Sequence, residues 1–220
     1  MIPVIYKSTY GNYSSDEWKD RIISSLNKIK STYLGNILIN KIEEYNSHAE
    51  INVSIVSEET YKNSIKYPKI TYYHGKSDIQ LVIPEMEYIS KIRVIDTNII
   101  PKSYITDDSN IPIQYFACIS NNNEVPKSVL ISDDVKNKTN KFKQLYDNIT
   151  YTMEQPLEII IAHEMIHCLR LLTDNHLDYY EEEATIFGMT GNTLYVDGHK
   201  ITENTIRLEM MLPMRVNHDT

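Results

Sequence analysis

Residues 157–172, LEIIIAHEMIHCLRLL, decide how this chain is read. The run is almost wholly apolar, broken by His163, Glu164 and His167. Such a stretch predicts a helix that is apolar nearly all round, and a helix of that kind is buried. Burying three ionisable side chains together is expensive unless something binds them. His163 and His167 are four residues apart, which stacks them on one face with their rings converging. Glu164 lies about 100° further round and flanks that face. This is the HExxH arrangement, in which two imidazoles ligate zinc and the glutamate takes a proton from the attacking water. The bland alternative, two histidines tolerated in a core helix, leaves His, Glu and His buried with no visible cationic partner. Thr152 and Gln155 offer the helix a capping box with Pro156 in its first turn, and Thr173-Asp174-Asn175 predict its end.

A hydrolytic zinc site needs a third protein ligand and an open fourth position. The metzincin extension places glycine and a third histidine where this chain has Arg170 and Thr173, so that pattern is excluded. His176 reads as a loop residue. Downstream, Asp178 and Glu181 form a capping box that opens a helix over DYYEEEATIFG, residues 178–188. Three successive glutamates are ordinarily a solvated face. Here Ala184, Ile186 and Phe187 bury the helix, and one carboxylate can face inward while its neighbours face water. Glu182, fifteen positions after His167, is preferred over Glu181 and Glu183, and Asp174 is the other candidate. A closed structural zinc site would need a fourth ligand, His176 or Cys168, but Cys168 points about 100° away from His167.

The rest of the chain sets bounds. A net charge of −8 over 220 residues leaves no basic stripe to neutralise phosphates, which argues against a nucleic-acid binder. The two cysteines, Cys118 and Cys168, do not indicate a disulfide framework. No apolar run approaches membrane-spanning length, and no classical signal core opens the chain. Seventeen tyrosines against three phenylalanines fit codon bias from an AT-rich genome better than chemistry. Ser14 and Glu17 offer a capping box to a helix over about 15–31, and YLGNILINKIEEY continues with helical spacing. Strand-like runs follow at 51–56, 70–75, 79–84, 91–95, 113–119 and 128–132, after which the pattern turns helical beyond residue 150. The order of helices, strands and helices predicts an α+β fold. His48 and His74 sit in turn-like contexts, and His199 reads as a hairpin tip.

HEMIHCLRLL followed by EEEATIFG resembles the NleD-type bacterial type III effector zinc proteases and, more distantly, clostridial neurotoxin light chains. Residues 202–218, TENTIRLEMMLPMRVNH, are similar to the closing segment of the effector family at Glu203, Asn204, Arg207, Pro213 and Arg215. The departures are Met211, where that family tends to have glycine, Phe187, and His218 in place of a tyrosine. The resemblance covers the last third of the chain well and the first 150 residues weakly. It implies a single zincin-like catalytic domain over residues 1–220, with about 1–14 a flexible N-terminal segment. It also implies Glu182 as the third zinc ligand, beside His163 and His167, and Arg215 with His218 as stabilisers of the oxyanion. The expected function is a zinc-dependent endopeptidase, a secreted monomer delivered by a dedicated bacterial secretion system. Its substrate is then a host cytoplasmic signalling protein, by resemblance a stress-activated MAP kinase. An aspzincin-type protease using Asp174, and a zinc-stabilised binding protein without catalysis, are the alternatives. In zincins the substrate lies along an edge strand above the motif helix, here expected from residues 91–132, with SVLIS preferred. Glu203 and Arg207, four apart, form either a plain helical ion pair or a support that orients a ligating histidine.

Overall fold

The structure, a computed structural model, describes residues 1–7, 14–48, 51–58, 69–73, 77–84, 91–95, 150–175, 186 and 194–215. Helix α1 (Ser15–Lys30) starts at the expected capping box: Ser14 accepts from the Glu17 N–H, and the Glu17 carboxylate accepts from the Ser14 N–H at 3.0 Å. It buries Trp18, Ile22, Ser25 and Ile29, a stripe spaced by three and four residues. Helix α2 (Tyr33–Ser47) follows after a tight corner, with Thr32 as its N-cap and Leu38, Ile39 and Ile42 in the core. Gly35 makes that corner possible. A Cβ there would run into the Ile29 carbonyl oxygen and the Thr32 hydroxyl.

Four strands form the main sheet in the order β1 (Val4–Ile5), β2 (Asn52–Glu58), β4 (Asp78–Pro84) and β3 (Lys69–Tyr73). β1 and β4 run parallel to β2, and β3 runs antiparallel to β4 with Ile70 opposite Leu81. Val53 to Ser57 are all buried, as expected of a parallel strand covered on both faces. A second sheet pairs β5 (Lys91–Ile95) with β6 (Thr150–Glu154) on one side and β9 (Met214–Arg215) on the other, both antiparallel. β7 (Leu194–Val196) and β8 (His199–Ile201) make a hairpin. Its tip is Asp197-Gly198, with φ of 50° and 81°, the two positive values that a twist-matched two-residue turn requires. His199 is therefore the first residue of β8 and not the tip.

Helix α3 (Leu157–Leu172) carries the motif and lies at the centre. It packs against α1, α2, β3, β4 and α4 (Glu203–Glu209), so residues 159–171 are all buried. The architecture is the expected α+β. One expectation fails at the helix start. Thr152 lies in β6, opposite Arg93, four residues before the residue that caps the helix, so it sits too far from the first turn to cap it. The N-cap is Pro156, whose carbonyl accepts from Ile159 and Ile160 at 3.0 and 3.1 Å. The runs at 113–119 and 128–132, the segment 178–185 and His74 lie outside the described residues.

Candidate metal centre

The site is built where α3 meets α4. The three motif residues are buried side by side, with His163, Glu164 and His167 at 6%, 7% and 9% exposure. The 3.6-residue repeat brings the two imidazoles edge to face, their ring centres 4.7 Å apart. Their Nε2 atoms converge to 3.1 Å. Two nitrogens bound to one zinc ion at its usual distances, near the tetrahedral angle, stand about 3.3 Å apart. The pair thus fits a single cation held between the two rings.

The other nitrogen of His163 is fixed from behind. His163 Nδ1 donates to Glu203 Oε2 at 2.8 Å. Glu203 is completely buried at the start of α4, where the Thr202–Thr205 capping box sets the entry of the helix. Burial would raise its carboxyl pKa, but the Arg215 and Arg207 guanidinium groups and the His163 hydrogen bond outweigh that and hold it well below the usual carboxylate range. An ionised Glu203 can only accept, so Nδ1 of His163 carries a proton, and in the neutral ring this leaves the lone pair that a cation needs on Nε2.

Arg207 Nε reaches Glu203 Oε1 at 2.7 Å, and Arg215 Nη1 reaches Glu203 Oε2 at 3.1 Å. The two sequence-level readings of Glu203 and Arg207 are therefore both realised: a helical ion pair that also backs a motif histidine. Neither arginine is a surface residue, at 0% and 4% exposure. Arg207 Nη1 adds a bond to the Pro213 carbonyl at 3.3 Å, which ties the return of the chain to the helix. The expected oxyanion residue Arg215 is thus engaged with Glu203. Its expected companion, His218, lies outside the described residues.

Glu181, Glu182, Glu183 and His176 also lie outside them, but Ile186, four positions after Glu182, is fully buried in the core that holds α3. Among the described residues no three His, Cys, Asp or Glu side chains form a group able to hold a metal. That finding counts against Asp174. It lies exposed in the turn that closes α3, at a φ of 55°, where it serves the helix terminus. The Asp174 N–H bonds to the Leu171 carbonyl at 3.3 Å and the Asn175 N–H to the Arg170 carbonyl at 2.9 Å, a Schellman ending. Cys168 fails as well, since it faces the core and burial pushes its thiol up to about 12.

A buried helix presenting paired imidazoles, one of them backed by a carboxylate, is an arrangement found in peptidases. The chain belongs to the M91 peptidase family, described as effector protein, whose family model matches residues 7–186. The match takes in most of the first 150 residues, where the sequence alone gives only a weak resemblance, and ends before residues 202–218. No curated protein and no solved structure matches the chain. None of the described helices is long and apolar enough to cross a membrane.

Proposed function

We propose that this chain is a zinc-dependent endopeptidase that acts as a secreted bacterial effector on a host protein. The observation that carries the reading is the 3.1 Å convergence of His163 Nε2 and His167 Nε2, with Glu203 locking the first ring. His163, His167 and Glu182 are the residues that would hold Zn²⁺. When bound, the ion polarises the scissile carbonyl and makes water acidic enough to be deprotonated near neutral pH. Glu164, on the next helical position from His163, removes that proton and returns it to the leaving amine. Arg215 holds Glu203 through Nη1 and, as the resemblance implies, joins His218 in stabilising the oxyanion.

Main-chain addition to a sheet edge would seat an extended substrate. β5 cannot offer that edge, because β6 and β9 occupy both its sides. β3 ends the main sheet among the described residues, runs antiparallel to its neighbour and packs beside α3, so it is the strand we assign to substrate. A host signalling kinase is the substrate class that the resemblance favours.

The test is a digestion of host-cell extract by wild type and Glu164→Ala, compared by peptide mass, with zinc content measured in both. Glu164→Ala should keep its zinc and lose on the order of 10²–10⁴-fold in cleavage rate. Cleavage at the wild-type rate overturns the mechanism. Zinc retained at wild-type affinity in Glu182→Ala moves the third ligand elsewhere.

A further inference from the structure

Asn204 is buried in the first turn of α4, at 4% exposure, and reaches across to β9. Its Nδ2 donates to the Arg215 carbonyl at 2.9 Å, and its Oδ1 accepts from the Arg215 N–H at 2.8 Å. A carboxamide bonded both ways to one residue does the work of a neighbouring strand. On the other side of β9 lies β5, with Val94 opposite Arg215. The two main-chain groups of Arg215 point at Asn204, so they point away from β5, and Val94–Arg215 is the non-hydrogen-bonded kind of antiparallel pair. β9 is two residues long, and pairing with β5 alone would fix it weakly.

The consequence lies at the other end of Arg215. Its Nη1 meets Glu203 Oε2, the same oxygen that receives His163 Nδ1. Glu203 and Asn204 are consecutive residues of one helical turn. That turn therefore holds Arg215 twice, by its guanidinium and by its backbone.

We propose that Asn204 is a positioning residue of the site. By gripping the main chain of Arg215 it fixes the guanidinium on Glu203, and through Glu203 it fixes the orientation of the His163 ring. The functional consequence rests on the metallopeptidase reading above. The role is specific to a carboxamide. Aspartate has the same shape but lacks the donor and sets a carboxylate against the Arg215 carbonyl, while alanine removes both bonds.

The experiment compares full-length wild type, Asn204→Ala, Asn204→Asp and a core truncation on α1, Ile22→Val. Three quantities are measured: the zinc dissociation constant by competition with a chromophoric chelator, amide exchange at Arg215, and the His163 Nδ1–H resonance. The last two use metal-free protein. Both Asn204 variants should weaken zinc binding about tenfold or more. They should also move the His163 signal, and Asn204→Ala should speed exchange at Arg215. Ile22→Val should lower the thermal midpoint while leaving zinc affinity and the His163 signal unchanged. Folded Asn204 variants with wild-type zinc affinity and an unmoved His163 signal would overturn the proposal and leave Asn204 a merely structural residue. Should the alanine variant fail to fold, the near-isosteric aspartate decides by the same readings. If wild type binds no zinc, the metallopeptidase reading fails on its own account, and the two metal-free measurements still decide the role of Asn204.

Discussion

The α1–α2 layer and the α4–β9 segment flank the same motif helix and exclude water about equally well, yet by opposite chemistry. The first is apolar: Trp18, Ile22, Ile29, Leu38 and Ile42 fill it, and an ion pair at its margin, Lys28–Glu158 at 3.3 Å, joins an exposed lysine to a half-buried carboxylate. The second buries Glu203, Asn204, Arg207 and Arg215 in mutual contact. Apolar contact is non-directional, so it fixes volume more tightly than orientation. A buried ionic network is unforgiving of an unmatched partner but fixes atoms at hydrogen-bond precision. The contrast suits the site, since a histidine that must present one nitrogen needs orientation, which packing alone supplies poorly.

Near-isosteric changes separate the two regions most sharply. Glu203→Gln keeps the shape of the side chain but leaves Arg207 and Arg215 without their carboxylate, and removing one side of a buried ionic group costs about 3–5 kcal/mol. Urea unfolding should show a loss of that size, together with weaker zinc binding in protein that remains folded. Leu38→Met, a volume-conserving change in the apolar layer, should cost less than about 1.5 kcal/mol in the same assay. Equal losses for the two would erase the distinction.

The next largest effect tests the apolar layer at its least tolerant point. Gly35→Ala adds one carbon against the Ile29 carbonyl oxygen, which belongs to backbone and cannot swing aside. The α1–α2 corner must open, at about 1–3 kcal/mol. A thermal midpoint equal to wild type would mean that the corner has slack the structure does not show.

The two regions also differ in how much of them could be read from sequence. Caps and apolar spacing gave away α1, α2 and α3, because local preference and burial agree there: Ser14 and Glu17 at the first helix, a largely apolar run at the third. HExxH exposed the site for the same reason, since both imidazoles come from one helix. β6 escaped notice because TYTME is short, ends just before Pro156 and gains its identity from pairing with β5, a partner some sixty residues away in sequence. The sequence offered Arg215 as an oxyanion stabiliser and Arg207 as a partner of Glu203, but long charged side chains mostly lie at the surface, and nothing in the sequence marked these two as buried. Only the fold shows that both share Glu203. Asn204 fits the closing segment of the effector family, yet a single asparagine in a helical turn announces neither its partner nor its burial.

The smallest effect has the opposite sign. α3 and α4 end in the same Schellman geometry, the latter with the Leu212 N–H on the Arg207 carbonyl at 2.8 Å and the Met211 N–H on the Leu208 carbonyl at 3.1 Å. In both, the residue after the cap is left-handed, Asp174 at a φ of 55° and Met211 at 57°. Aspartate tolerates that conformation through local hydrogen bonding, whereas a methionine pays steric strain between Cβ and its own backbone. The Met211 side chain is 93% exposed, so almost no packing is lost on removing it. Met211→Gly should therefore stabilise the chain by about 0.5–1 kcal/mol, strain relief outweighing the added freedom of the unfolded chain. The gain should appear in urea unfolding without altering zinc affinity, because the Schellman bonds that hold Arg207 in place are main-chain bonds that glycine keeps. A loss of stability would show that the Met211 side chain makes contacts worth more than its strain, and would move residue 211 from the surface into the polar network that it borders.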